Sequence, residues 1–164
     1  MLDGVAITGG EPTCSPGIID FVKKIKKMGF DVKFDSNGSN PDILKELMDK
    51  KLIDYIAMDV KAPIKKYKEI VRTTVPVKRI KESIDLIISS SIPHEFRTTL
   101  YSKLTVEDFG EMAKLIPGEK WFLQEMDPTH AYEGSVRKMK PMKKEKIDKI
   151  LKVTKELTKV ELRS

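Results

Sequence analysis

Apolar residues recur along this chain in two rhythms, short unbroken runs and stripes at helical spacing. Val5-Ala6-Ile7 is a run that stops at Gly9-Gly10, which predicts a buried strand. Ser15-Pro16 then offers an N-cap and a proline at the first helical position. Ile18, Phe21, Val22, Ile25 and Met28 follow on one stripe, and Gly29 ends it. Residues 30–35 read as the next strand. Asn40-Pro41 repeats the cap-and-proline device before Ile43, Leu44, Leu47 and Met48, and residues 53–58 form a third strand. A short helix is expected around residues 65–70. A stronger one opens at Pro76 and carries Val77, Ile80, Ile84, Ile87 and Ile88. Residues 94–101 predict a fourth strand. Thr105 and Asp108 have capping-box spacing before Phe109, Met112, Ala113 and Ile116. Residues 121–125 give a fifth strand. A loop through Pro128, Gly134 and Pro141 leads to a last helix with Ile147, Ile150, Leu151 and Leu157, and residues 160–162 suggest an edge strand.

Strands alternating with helices imply right-handed crossovers and a parallel sheet, hence an α/β fold in one domain over residues 1–164. Each strand stops in polar or glycine residues: Thr8-Gly9-Gly10-Glu11, Asp35-Ser36-Asn37-Gly38, Asp59-Val60-Lys61, Arg97-Thr98-Thr99 and Gln124-Glu125. In a parallel α/β sheet such strand ends share a rim, where ligands bind. Taken singly, each cluster also has a plain structural reading. Gly9-Gly10 fits a tight turn, the Asp35 segment an Asx-type turn, Asp59 and Lys61 a surface ion pair, and Arg97 the neutralisation of a strand-end acid.

Composition narrows the chemistry. The chain has a single cysteine, Cys14, which excludes an intrachain disulfide and any cluster or zinc site made only of its own thiolates. A small, partly buried loop residue is the expectation for it. The net charge of +6 raises nucleic acid as a partner. The lysines, however, gather on predicted helix faces (Lys23, Lys24, Lys26, Lys27; Lys143, Lys144, Lys146, Lys149) with few interleaved aromatics, so solvated faces are expected instead. No apolar run reaches the roughly 18 residues of a membrane span. The first residues lack the basic start and apolar stretch of a signal peptide, and a cytoplasmic location is expected. Scarce Gln and Asn beside abundant Lys, Glu and Ile suit a thermophilic source.

The segment Val5-Ala6-Ile7-Thr8-Gly9-Gly10-Glu11-Pro12-Thr13 resembles the strand-plus-GGE segment of radical S-adenosylmethionine (SAM) enzymes. Asp35-Ser36-Asn37-Gly38, Ala57-Met58-Asp59-Val60-Lys61 and Glu95-Phe96-Arg97-Thr98-Thr99 follow in the order seen in that superfamily's activating enzymes. The chain is most similar to anaerobic ribonucleoside-triphosphate reductase activating proteins, then to pyruvate formate-lyase activating enzymes, from about Asp3 to about Pro128. The resemblance implies a partial (β/α) barrel of five or six mostly parallel strands, with SAM and a [4Fe–4S] cluster as cofactors. In such enzymes the cluster binds three cysteines and chelates SAM, and reductive cleavage yields a 5′-deoxyadenosyl radical that takes hydrogen from a glycine of a partner enzyme. By the same resemblance Gly9, Gly10 and Glu11 would hold the methionyl ammonium, and Ser36 and Asn37 would reach the carboxylate or ribose. Asp35 and Asp59 would bind a monovalent cation. Lys61 would face SAM or the substrate segment, and His130 would lie near the adenosyl group.

One departure stands beside these matches. The family's C-x-x-x-C-x-x-C motif lies upstream of GGE, and here only eight residues precede Gly9, none of them cysteine. The first βα unit is therefore expected to be absent, leaving the Val5 strand as an edge and this chain without a cluster of its own. Such an edge invites a homodimer or a separate cluster-bearing chain. The expected function is a portion of a radical SAM activating enzyme that binds SAM and, once joined to a cluster-bearing segment, generates a glycyl radical on a partner such as anaerobic ribonucleotide reductase. A degenerate, non-catalytic SAM-binding remnant is the alternative, and a radical SAM RNA-modifying relative a third.

Overall fold

A computed structural model of the chain describes residues 3–72, 74–127, 137 and 139–163. The apolar runs form six strands, β1 (Gly4–Ile7), β2 (Asp31–Ser36), β3 (Tyr55–Asp59), β4 (His94–Thr99), β5 (Lys120–Gln124) and β6 (Lys159–Arg163). Their order follows the chain, β1-β2-β3-β4-β5-β6. β1 with β2, β2 with β3, β4 with β5 and β5 with β6 all pair in parallel. The Val5 run stands at one end of that order, as expected. No helix among the described residues is long and apolar enough to cross a membrane.

The chain divides into two compact units, Met1–Val60 with Thr73–Glu95, and Lys61–Arg72 with Phe96–Ser164. In the first, α1 (Ile18–Lys27), α2 (Pro41–Asp49) and α4 (Val77–Ile88) accompany β1 to β3. Between α2 and α4 in chain order comes a short helix, α3 (Tyr67–Val71), which belongs to the second unit. Period-two alternation buries Val32, Phe34 and Ser36 of β2 and leaves Lys33 and Asp35 half-buried on its other face. Register then sets Phe34 against Ile56 and Ser36 against Met58. The apolar stripes of the helices complete the core with Val22, Leu44, Leu47, Ile84 and Ile87.

The start of α1 differs from the sequence expectation. Pro12 opens a separate 3-10 turn, Pro12–Cys14, that closes at Ser15, so Pro16 falls in the link. Gly17 is the N-cap instead, at φ 76°, a left-handed backbone that glycine adopts without strain. At Asn40-Pro41 the boundary is as expected, but the Asn40 side chain makes no capping bond.

In the second unit, a 3-10 turn (Ile64–Lys66) precedes α3, and α5 (Val106–Ala113) and α6 (Lys144–Thr154) accompany β4 to β6. The helical stripe through Leu157 stops short of it, because α6 ends at Thr154 and Leu157 lies in the following turn. Trp121 is fully buried, its ring centroid 6.1 Å from that of Phe109, and its Nε1–H donates to the buried Thr98 hydroxyl at 2.9 Å. Thr98 therefore serves the core of this unit. The capping box at α5 forms as read: Asp108 N donates to Thr105 Oγ1 at 3.2 Å and Thr105 N donates to Asp108 Oδ2 at 2.9 Å. Lys66 Nζ also reaches Asp108 Oδ2 at 2.9 Å. Burial alone would raise the Asp108 carboxyl, yet the Thr105 amide and the Lys66 ammonium together hold it below the ordinary aspartate value.

Candidate functional site

Glu11 lies where β1 has ended, as N-cap of the Pro12 turn, and its carboxylate collects four donors. Thr13 N reaches Oε1 at 3.1 Å, Thr13 Oγ1 at 2.6 Å and Ser36 Oγ at 2.9 Å. Asn37 N reaches Oε2 at 2.6 Å. Two of these donors come from its own turn and two from the end of β2, so one side chain locks the loops after β1 and β2 together. Hydrogen bonds to an ionised acceptor are about twice as strong as neutral ones. Ser36, buried, passes the connection on, because its hydroxyl also accepts Gly38 N at 3.0 Å. Asn37 Oδ1 accepts Ser39 N at 2.8 Å, the Asx turn that Asn-Gly suggested.

Gly38 sits at φ 74°, and a Cβ there would collide with Met58 Cε and come within 3.3 Å of Ser83 Cβ. The left-handed backbone favours glycine at this corner, and a side chain would also have to displace the Met58 methyl. Gly9, at φ 126°, and Gly10 are exposed, and a Cβ on either would meet nothing within 4 Å. Open space over the backbone at Gly9 and Gly10 is what close approach by a ligand requires. Beside them an open groove of about 410 Å³ lies between the end of β1 and the first turn of α1, lined by Ile7, Thr8, Gly10, Pro12, Ile18 and Phe21.

Glu11, Ser36 and Asn37, chosen from the sequence, are thus brought together with Gly9 and Gly10. Asp35 and Asp59 form a separate set. They share the sheet face opposite Ser36, with Asp59 two positions beyond Ala57, the register partner of Asp35. Lys33, on that same face, is ion-paired with Asp35 and already supplies a positive charge there. Lys61 is exposed and belongs to the second unit. His130 lies outside the described residues, as do Pro128 and Gly134. In the second unit the register places Thr99 beside Gln124 and Gln124 beside Arg163, whose guanidinium carbon lies 3.3 Å from the Phe122 ring centroid.

Thr13, Asn40, Arg79 and Ser83 were not chosen as site residues from the sequence. Thr13 supplies two of the four bonds to Glu11. Asn40 Nδ2 donates to Thr13 O at 3.1 Å, Arg79 Nη2 to Asn40 Oδ1 at 2.9 Å, and Ser83 Oγ to Gly38 O at 2.8 Å. A serine within the apolar stripe of α4 was the available clue. Cys14 is exposed rather than partly buried, because the Pro12 turn packs Pro12 and Thr13 inward and leaves its last residue outside.

SAM and an iron–sulfur cluster fare differently against these residues. The open backbone at Gly9 and Gly10, beside loops already fixed by Glu11, suits the close approach of a small zwitterion. A cluster needs three thiolates, and one cysteine does not supply them. Among the described residues no group of three or more His, Cys, Asp or Glu is arranged to hold a metal ion.

A family model described as the radical SAM superfamily matches residues 1–116. The chain is 37% identical over 150 residues to a Methanocaldococcus jannaschii protein named as a candidate glycyl-radical enzyme activating enzyme. That match covers 87% of this chain and 62% of the relative, so the chain spans about three fifths of the relative's length. Among solved structures it is similar to a domain of the pyruvate-formate lyase-activating enzyme of Bacteroides vulgatus, with TM-score 0.73, 18% identity, and coverage of 98% of this chain and 99% of that one. It is also similar to Streptococcus suis SuiB bound to S-adenosylmethionine, with TM-score 0.61, 15% identity, and coverage of 98% and 39%. These two likenesses show the fold, the α/β partial-barrel class of parallel strands expected from the sequence.

Proposed function

This chain belongs to the radical SAM superfamily, and from that premise we propose that it is the SAM-binding portion of an activating enzyme that generates a glycyl radical on a partner such as anaerobic ribonucleotide reductase. Bound and reduced in such an enzyme, SAM supplies the radical that takes hydrogen from the partner's glycine. The residues of this chain bind and orient. Gly9 and Gly10 offer bare backbone to the methionyl end, and Glu11 holds that backbone against the loop that follows β2. Ser36 and Asn37 set the height of that loop for the carboxylate or ribose. Lys61, His130 and the pair Asp35 and Asp59 stay in the reading as further contacts, the first two toward SAM or substrate and the pair toward a monovalent cation.

The observation that carries this reading is the four-donor carboxylate of Glu11, which makes one platform of the GGE segment and the Ser36–Asn37 segment. The cluster is assigned to cysteines outside these 164 residues, on a segment seated along β1. That strand stands at the end of the strand order, and Phe21 of α1 (55% exposed) and Met28 at the C-cap of that helix (71%) lie about two turns apart. Titration calorimetry with SAM, alone and after adding a peptide carrying three closely spaced cysteines and reconstituted iron, tests both parts. Saturable heat with SAM, strengthened by the loaded peptide, is expected. SAM heat without any response to the peptide favours the non-catalytic remnant, and no heat under either condition overturns the SAM assignment.

A further inference from the structure

We propose that Arg79 and Ser83, one turn apart on α4, are positioning residues that set the Ser36–Asn40 loop for ligand binding. The inference rests on the reading of that loop as part of the SAM site.

Both residues grip the loop from below its turn. Ser83 Oγ donates to the carbonyl of Gly38 at 2.8 Å, and Arg79 Nε donates to the carbonyl of Ser39 at 3.2 Å. Arg79 Nη2 adds bonds at 2.9 Å to Asn40 Oδ1 and to Asp42 Oδ2. Three consecutive loop residues, 38 to 40, are therefore held by one helix. The hold continues to the other loop: Asn40 Nδ2 donates to Thr13 O, Thr13 Oγ1 donates to Glu11, and Glu11 accepts Ser36 Oγ and Asn37 N. These bonds close a ring between the two loops, and α4 grips it from outside at residues 38 to 40.

Ordinary helix packing does not require either residue. Ser83 occupies a fully buried position on the stripe of Ile80, Ile84 and Ile87, where an alanine or small aliphatic would avoid the cost of burying a hydroxyl. Asn40 stands at the N-cap of α2, where asparagine usually bonds the helix's own amides, and its side chain is given instead to Arg79 and Thr13. The ion pair of Arg79 with Asp42 adds little, because Asp42 is 81% exposed. What Arg79 supplies is the geometry of its planar fork, which a lysine does not reproduce.

The test compares Arg79→Lys and Ser83→Ala with Ile87→Val, a core change in the same helix chosen to match their loss of thermal stability. Two quantities are read on each full-length protein, SAM affinity by calorimetry and amide exchange at Asn37 and Ser39 by NMR. We expect SAM affinity to fall about tenfold or more in the two loop-gripping variants, with faster exchange at both amides, and neither change in Ile87→Val. Affinity and exchange in Arg79→Lys and Ser83→Ala equal to those in Ile87→Val would overturn the inference and leave the SAM reading standing. Wild-type protein that ignores SAM would overturn that reading, and the exchange comparison would still decide whether α4 sets the loop.

Discussion

The backbone N–H of Asn37 donates to the Glu11 carboxylate at 2.6 Å, joining residues 26 positions apart at the ends of adjacent parallel strands. Removing the charge tests that joint. Glu11→Gln keeps the size of the side chain but replaces one acceptor oxygen with a donor that faces another donor. A loss of about 1–3 kcal/mol in unfolding free energy is expected, read by urea denaturation, together with weaker SAM binding. Unchanged stability would mean that the four bonds do not hold the loops.

Gly38→Ala is expected to destabilise the first unit for two reasons that a second substitution separates. The positive φ disfavours any Cβ by about 1 kcal/mol or more, and the added methyl collides with Met58 Cε. Pairing the change with Met58→Ala relieves the collision and leaves the φ strain. Thermal melts of the double variant and both single variants then show recovery of only part of the loss, measured against Met58→Ala.

Gly10→Ala separates folding from binding. A Cβ at Gly10 meets no neighbour within 4 Å and the backbone there is not left-handed, so stability should stay within about 0.5 kcal/mol of wild type. The same methyl intrudes on the space assigned to SAM, and calorimetry should show at least a tenfold weaker affinity. Equal affinity would place the ligand elsewhere.

The lowered pKa of Asp108 predicts a pH dependence of known sign. A carboxyl held below its unfolded value contributes stability that is fully present above that value and is lost as pH falls through the folded pKa. Stability of the wild type is therefore expected to decline below about pH 4, with Asp108→Asn showing a flatter acid limb. At neutral pH that variant loses about 1 kcal/mol, the usual worth of a cap. Lys66 is partly exposed, so solvent screening keeps its share small. Denaturation monitored by Trp121 fluorescence across pH checks both effects.

Local signals were read well from the sequence and distant ones were not. Thr105 and Asp108 bond each other across one helical turn, and their spacing announced it. The runs at residues 30–35 and 53–58 marked β2 and β3 as strands, to within a residue or two at their ends. Ser15-Pro16 misled because Pro12, three residues before Ser15, had already started a tighter turn, and two nearby prolines compete for one role. Glu11 was found by its motif, but its partners Ser36 and Asn37 lie 25 and 26 residues away, and nothing local says that its carboxylate turns toward them. Arg79 and Ser83 are further removed, 39 to 45 residues from the groups they hold among residues 38 to 40. Polar residues on an amphipathic helix give no address for their bonds until the chain is folded.

All four donors to Glu11 belong to the chain itself. Two loops that would otherwise wander are frozen when the chain folds, so a small molecule landing on Gly9 and Gly10 has little ordering left to impose. Its association then carries a modest entropic penalty, and the accompanying heat-capacity change reports apolar area covered rather than loop folding.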